Sequence, residues 1–255
     1  MVKKAVANLK KERDDWSKRV SRGAKVFRRL ANERLSFEEL QMPIDDPEMR
    51  KDLVKLWQTW PSRHFQPLSD DQVPLKYETS LLKWLRLASR LGYIGPVVWQ
   101  VRAGYILLKH APMTGPCYKK WQHLQGWKLR NDEPTKDLLV FWIPRLVTGS
   151  KGKKPEEQTK LMAEIRSQID LPEHHLMSFG SAALLSGLIL THYKRTGEKT
   201  PLNGEWTRTD TFHADGNRLP LGDFGGSGLC CGSRDWDEGE RSALGCFPLG
   251  VEPGI

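Results

Sequence analysis

The chain has 255 residues, of which 38% are hydrophobic and 28% are charged, and a formal net charge of +9. These values are typical of one large or two ordinary globular domains with a hydrophobic core of their own. We expect no membrane span, since the sequence holds no run of about 18 apolar residues. We also expect no secretory signal, since the charged N-terminus lacks the apolar region of one.

The charge is distributed unevenly along the chain. Residues 76–130 contain ten lysines or arginines and one acidic residue, whereas residues 201–255 contain four basic and nine acidic residues. This asymmetry predicts two functional surfaces rather than one uniformly basic protein. Four cysteines, two of them adjacent at Cys230 and Cys231, make a poor disulfide framework and predict a reduced, cytoplasmic setting.

The first 74 residues are predicted to be a charged, mainly helical region that ends in a linker. Apolar residues recur every three or four positions over residues 3–35, which predicts an amphipathic helix. That helix either packs on the protein or a partner, or binds nucleic acid or a membrane surface. A capping box at Ser36 and Glu39 and an apolar stretch over residues 48–60 predict two further helices, and the prolines of residues 61–74 predict a linker.

Residues 75–135 form a basic, aromatic-rich segment, either separate from the next domain or packed on it. A helix is predicted over residues 80–91, ending at Gly92, and a strand or hairpin over residues 97–108, with a bend at Gly104. Cations beside aromatic rings suit single-stranded nucleic acid, whose backbone needs positive charge and whose bases need stacking faces. They equally suit Trp rings at the edge of a core. The candidate nucleic-acid contacts are Lys119, Lys120, Trp121, Lys128 and Arg130.

The third region, residues 136–255, alternates strand and helix patterns and predicts an α+β domain. An apolar run over residues 138–143 predicts a buried strand. Pro155 and the two glutamates after it begin a predicted amphipathic helix. Ser178 is the predicted cap of a second, largely buried helix over residues 179–195, which stops at Gly197.

The last 50 residues predict short strands joined by polar loops. Glycine, serine and charged residues separate the strand-length apolar pieces and favour turns. The predicted strands lie within residues 218–224, 228–231 and 243–251.

No residue pattern in the chain predicts catalysis. A nucleophile–base pair and a phosphate loop with G-x-x-x-x-G-K-[ST] spacing are both missing from the sequence. The acidic residues at 235–240 lack the oxygen-ligand pattern of a calcium loop and form either a solvated loop or a ligand-contact loop. We therefore expect a protein that is not an enzyme and holds no cofactor.

The histidines do not predict a metal site either. His174 and His175 are adjacent in a loop, where neighbouring side chains seldom face the same ligand, and His192 lies on the following helix. A zinc site needs three or four converging ligands. The cysteines lack the Cys-x-x-Cys spacing that would supply them, so we expect no bound metal.

The C-terminal residues resemble a known family. The sequence Trp-Thr-Arg-Thr from Trp206, the glycine-punctuated stretch around Trp236 and the ending Leu-Gly-Cys-Phe-Pro-Leu-Gly-Val at Val251 resemble the tail of C-type-lectin-fold domains. The nearest branch is the formylglycine-generating-enzyme-like one, which includes the variable proteins of diversity-generating retroelements. The resemblance covers about the last 110 residues and implies a C-type-lectin-like domain of two helices and twisted antiparallel strands. The region before it is predicted, from its own residues, to be mainly helical and basic.

In that family the last strands and loops bind a protein or another macromolecular ligand through variable residues. The implied contacts are Asp223, Gly225, Ser227, Cys230, Cys231, Gly232, Ser233, Arg234, Asp235, Asp237, Gly239, Arg241 and Ser242. The implied scaffold is Trp206, Trp236, Phe247, Leu249 and Val251. Most contact positions carry residues whose codons arise from an asparagine-type codon when its adenines are mutated. Glu238 and Glu240 cannot arise in this way and would be fixed. The expected function is therefore ligand display, with nucleic-acid association through residues 76–130 as the alternative.

Overall fold

A computed structural model describes residues 64–199, 201–232 and 242–253. They belong to the second of two units, His64–Ile255; the first is Met1–Arg63. The helices predicted within residues 3–60 lie outside the described residues. So do six of the implied ligand contacts, Ser233, Arg234, Asp235, Asp237, Gly239 and Arg241, and the implied scaffold residue Trp236.

The described part of the chain is a mixed α+β structure built on a four-stranded antiparallel sheet. Its strands lie in the order β1 (Phe65–Leu68), β2 (Val98–Val101), β4 (Leu138–Trp142) and β10 (Leu249–Pro253). The sheet therefore joins parts of the chain on both sides of residues 74 and 135, where the sequence suggested boundaries.

Helices cover both faces of this sheet. Leu139 and Phe141 pack with α1 (Glu78–Arg90) and with Met162 of α3 (Pro155–Gln168). Val140 and Trp142 point to the other face and pack with α2 (Leu107–Thr114) and α4 (Ala182–Thr196). A strand buried on both faces needs apolar side chains at every position, which explains the uninterrupted run over residues 138–143.

Two smaller sheets complete the fold. One pairs β3 (Leu129–Arg130) with β6 (Phe212–His213). The other has the order β8 (Gly228–Cys231), β7 (Leu221–Gly225), β5 (Trp206–Thr207) and β9 (Leu244–Gly245), with β5 and β9 parallel. Phe224 of β7 contacts Tyr193 of α4, with ring centroids 4.9 Å apart, so this last sheet shares a core with the central one.

Two helices end at the glycines that the sequence predicted as their stops. Helix α1 ends at Arg90, and Gly92 adopts a positive φ of 67°, as predicted. Helix α4 stops at Gly197, whose left-handed conformation closes it. None of the helices in the described part of the chain combines the length and apolarity that crossing a bilayer would require.

The predicted N-terminal cap of α4 was wrong. Ser178 does not cap α4; Ser181 does, and its hydroxyl accepts the Leu184 N–H at 3.2 Å. Asp210 accepts the Gly180 N–H at 3.0 Å, which holds the preceding residues outside the helix. The apolar stretch over residues 97–108 forms a strand, one of the two predicted alternatives, and its end belongs to α2.

Candidate functional site

The hairpin formed by β7 and β8, which we call the display hairpin (residues 221–231), holds most of the described ligand contacts that the resemblance implies. Its register shifts between Gly222 and Gly225, which marks a bulge in β7. Asp223 in this bulge has a φ of +41° and is exposed, while its neighbour Phe224 is completely buried. Bulges re-aim side chains in this way, and Asp tolerates the left-handed region better than most residues.

Backbone hydrogen bonds fix the bulge from behind. The Asp223 N–H donates to the Glu205 carbonyl at 2.9 Å, and the Phe224 N–H donates to the Leu202 carbonyl at 2.6 Å. The aspartate is therefore held outward by groups that do not depend on its own side chain.

The described contact positions divide into outer and inner ones. Asp223, Ser227 and Ser242 are exposed, and Gly225 and Cys230 are partly exposed. Cys231 and Gly232 are buried, so their side chains do not lie on a surface that a ligand could reach. A β-strand alternates its faces, and Cys231 points inward because Cys230 points outward.

The implied scaffold positions lie mostly inside. Trp206, Phe247 and Leu249 are buried, and Val251 is partly buried.

The cysteines of the described chain are free thiols that resist ionisation. Burial raises the pKa of Cys117 to about 12 and that of Cys231 well above its usual range. Burial and the Asp223 carboxylate raise the pKa of Cys230. These groups stay protonated at neutral pH, so they are poor nucleophiles and poor thiolate ligands.

The basic segment lies against the hairpin. The Trp121 indole N–H donates to the Leu229 carbonyl of β8 at 2.8 Å, and Cys117 forms a parallel bridge with Leu229. Trp121 is only 1% exposed, so this ring is a structural anchor and offers no face to a base. The other candidate nucleic-acid contacts, Lys119, Lys120, Lys128 and Arg130, are all exposed.

Three consecutive residues of this segment have left-handed backbone conformations. The φ values are 44° at Lys119, 49° at Lys120 and 55° at Trp121. Each such residue costs roughly 1–2 kcal/mol in an L-peptide. The buried indole and its hydrogen bond hold this turn, which leaves both lysines in solvent.

Four rings form a row beside these cations, and we call Tyr118, His123, Trp127 and His213 the ring row. The centroid distances between successive rings are 5.9, 5.9 and 5.1 Å, each with an edge-to-face geometry. All four rings are partly exposed. Sequence reasoning missed His123 and His213; His213 enters the row only because β6 pairs with β3, and no local signal reports that pairing.

A second polar cluster lies where Trp84 of α1, the histidines between α3 and α4, and Glu252 of β10 meet. Contrary to prediction, the neighbouring His174 and His175 face the same group. Their Nε2 atoms lie 2.9 and 3.0 Å from the carboxylate atom Oε1 of Glu252. His175 is completely buried, and burial lowers its pKa to about 4. Glu252 lies 77 residues along the chain from His175, and the strand predicted over residues 243–251 stopped one residue short of it.

The protons in this cluster suit a hydrogen-bond chain better than a metal centre. The Trp84 indole N–H, which can only donate, lies 3.1 Å from Nδ1 of His175, so Nδ1 is unprotonated. The proton of the neutral ring is therefore on Nε2 and is donated to Glu252. A metal ion would need the Nε2 lone pair and an acceptor, not a donor, beside Nδ1.

His192 does not join this cluster. It lies in α4, with its Nε2 atom 3.3 Å from Oε2 of Glu198 and its ring 5.9 Å from that of Trp142. Burial lowers the pKa of this histidine.

A cleft of about 300 Å³ lies where α4 begins. It is lined by Asn131, Glu133, Pro134, Thr135, Lys136, Leu138, Ser181 and Leu184. Its charged side chains have opposite signs, so the cleft selects no particular ligand charge.

No family model, curated protein or solved structure matches the chain.

Proposed function

We propose that this protein is a ligand-binding protein and not an enzyme, and that it presents a variable surface on the display hairpin. The ligand is a protein or another macromolecule. By its resemblance to the variable proteins of diversity-generating retroelements, the domain has a C-type-lectin-like fold. By the same resemblance, the remaining contacts lie within residues 232–242.

The observation that carries the proposal is the separation of fold and surface within the hairpin. Leu221, Phe224 and Leu229 are buried, whereas Asp223 and Ser227 are exposed and Cys230 is partly exposed. A surface that varies in sequence must not carry the stability of its own scaffold, since most substitutions at buried positions destabilise. The bulge at Asp223 meets that requirement because backbone groups hold it.

A pair of matched libraries tests this separation. One library randomises Asp223, Gly225, Ser227 and Cys230 together; the control library randomises Leu221, Phe224, Leu229 and Cys231. We expect most members of the first library to unfold cooperatively within several degrees of the parent, because surface substitutions usually change stability by about 0.5 kcal/mol or less. Residues other than Gly, Asn or Asp at the left-handed position 223 should cost roughly 1–2 kcal/mol more. Members of the control library should lose the transition, because emptying a core site costs about 2–5 kcal/mol.

The readout is protease resistance across a temperature series, followed by thermal melting of sampled members. Equal losses in the two libraries would show that the outer positions carry the fold, and the proposal would then fail.

A further inference from the structure

The ring row and the cations around it form a second surface, distinct from the outer face of the display hairpin. The geometry points to this surface as a binding site for single-stranded nucleic acid. Its residues are Tyr118, His123, Trp127 and His213, with Lys119, Lys120, Lys128 and Arg130 around them.

The charge of this surface has one sign. Residues 117–130 contain four lysines or arginines and no acidic residue, and all four basic side chains are exposed. At the far end of the row lies the carboxylate of Asp215, whose Oδ2 atom is 2.9 Å from Nδ1 of His213. Residues 117–130 themselves present only positive charge to a polyanion.

The rings supply stacking faces for bases, which a polyanion without bases would not need. A nucleic-acid strand without a partner exposes its base faces, and aromatic side chains bind such faces without regard to sequence. Lys119 already stacks over Tyr118, with its Nζ 5.2 Å from the ring centroid, so cation and ring are presented together. Exposed Gln122 and Gln125 add amide donors and acceptors within the same turn.

The strained turn gives a reason for this arrangement. Lys119 and Lys120 are held in left-handed conformations by the anchor at Trp121. Strain of this kind persists where the surrounding structure fixes it, and it concentrates at binding sites. The ring named in the sequence prediction, Trp121, thus acts as the anchor, and the stacking faces belong to the row.

Binding is measured with the full chain by fluorescence anisotropy of a labelled oligothymidylate of about 12 nucleotides. The salt concentration is varied from about 50 to about 200 mM. Trp127→Ala should weaken binding about tenfold, because a base stacked on a ring loses that partner. Lys119→Gln/Lys120→Gln should lower the slope of log K against log salt by about 1.4, since each phosphate contact on a single strand contributes about 0.7.

The matched control is Lys154→Gln/Lys160→Gln, which removes the same charge from exposed positions at the start of α3. It should leave the affinity within twofold of the parent and the slope unchanged. Trp127→Phe keeps a ring and should keep most of the affinity, which separates stacking from folding. The lysine variant changes only exposed side chains and remains informative if Trp127→Ala does not fold.

The inference would be overturned if the parent did not bind the oligonucleotide at 50 mM salt, or if the lysine variant bound like the control. It would also be overturned if polyglutamate of equal charge competed as well as the single strand, or if a duplex of equal length did so. Binding by any other part of the chain would persist in all variants and would not produce the expected differences.

Discussion

The protonation state of His175 makes its hydrogen bond with Glu252 of β10 sensitive to pH. The buried ring accepts from Trp84 through Nδ1 and donates to Glu252 through Nε2, while Arg166 donates to its backbone carbonyl at 3.3 Å. A second proton would have to go to Nδ1, where it would face the indole N–H. Burial disfavours that charged form, although Glu252 partly compensates.

We therefore predict that His175 destabilises the protein in acid. Its pKa is about 4 when folded, below its ordinary value of 6.5, so the unfolded chain binds more protons between these values. The contribution is complete above pH 6.5 and is lost as the pH falls towards 4. In His175→Gln, which keeps a donor and an acceptor, the free energy of unfolding should fall less steeply over this range.

The measurement is urea unfolding of both proteins at steps between pH 4 and 7.5. His192, whose pKa burial also lowers, is present in both and cancels in the difference. Parallel stability curves for parent and variant would contradict the proton assignment.

At the scale of the element, the position of α4 against the sheet depends on Gly187, which has no Cβ atom. A Cβ atom added at Gly187 would lie 1.9 Å from Cζ of Phe65, which belongs to β1 and is 1% exposed. Glycine inside a helix normally lowers stability. Here it allows the helix to approach the sheet closely.

We predict that Gly187→Ala destabilises the protein by about 1–3 kcal/mol, although the same change gains up to about 1 kcal/mol in an open helix. Urea unfolding measures the effect, and Phe65→Leu provides the background for a double-mutant cycle. The alanine should cost less beside the smaller leucine. An equal penalty in both backgrounds would place the clash elsewhere.

The same elements show what the sequence could predict and what it could not. The strand at residues 138–143 and the stop at Gly197 were predicted correctly because each depends on the residues themselves. The cap of α4 was misplaced by three residues because Asp210 and Thr211, about 30 residues away, select Ser181. The convergence of His174, His175 and Glu252 depends on the last strand returning beside β4, which no local pattern reports.

At the scale of the whole molecule, the two proposed surfaces are joined through one strand. Trp121 and Cys117 of the basic segment contact Leu229, and Leu229 lies beside Cys230 of the display hairpin. The charge asymmetry of the sequence predicted two surfaces. It could not predict that they adjoin, because that depends on contacts made across 108 residues.

The central claim is that the outer positions of the C-terminal residues vary while the inner ones are fixed. It is tested most directly by sequencing the DNA on either side of the coding region. We expect a near-copy of the segment that encodes residues 219–251, beside a reverse transcriptase gene, with mismatches at adenines in the codons for Asp223, Ser227 and Cys230. The codons for Phe224, Cys231 and Phe247 should be identical in both copies, since these side chains are buried. A near-copy with mismatches in those buried codons, or no near-copy at all, would contradict the account.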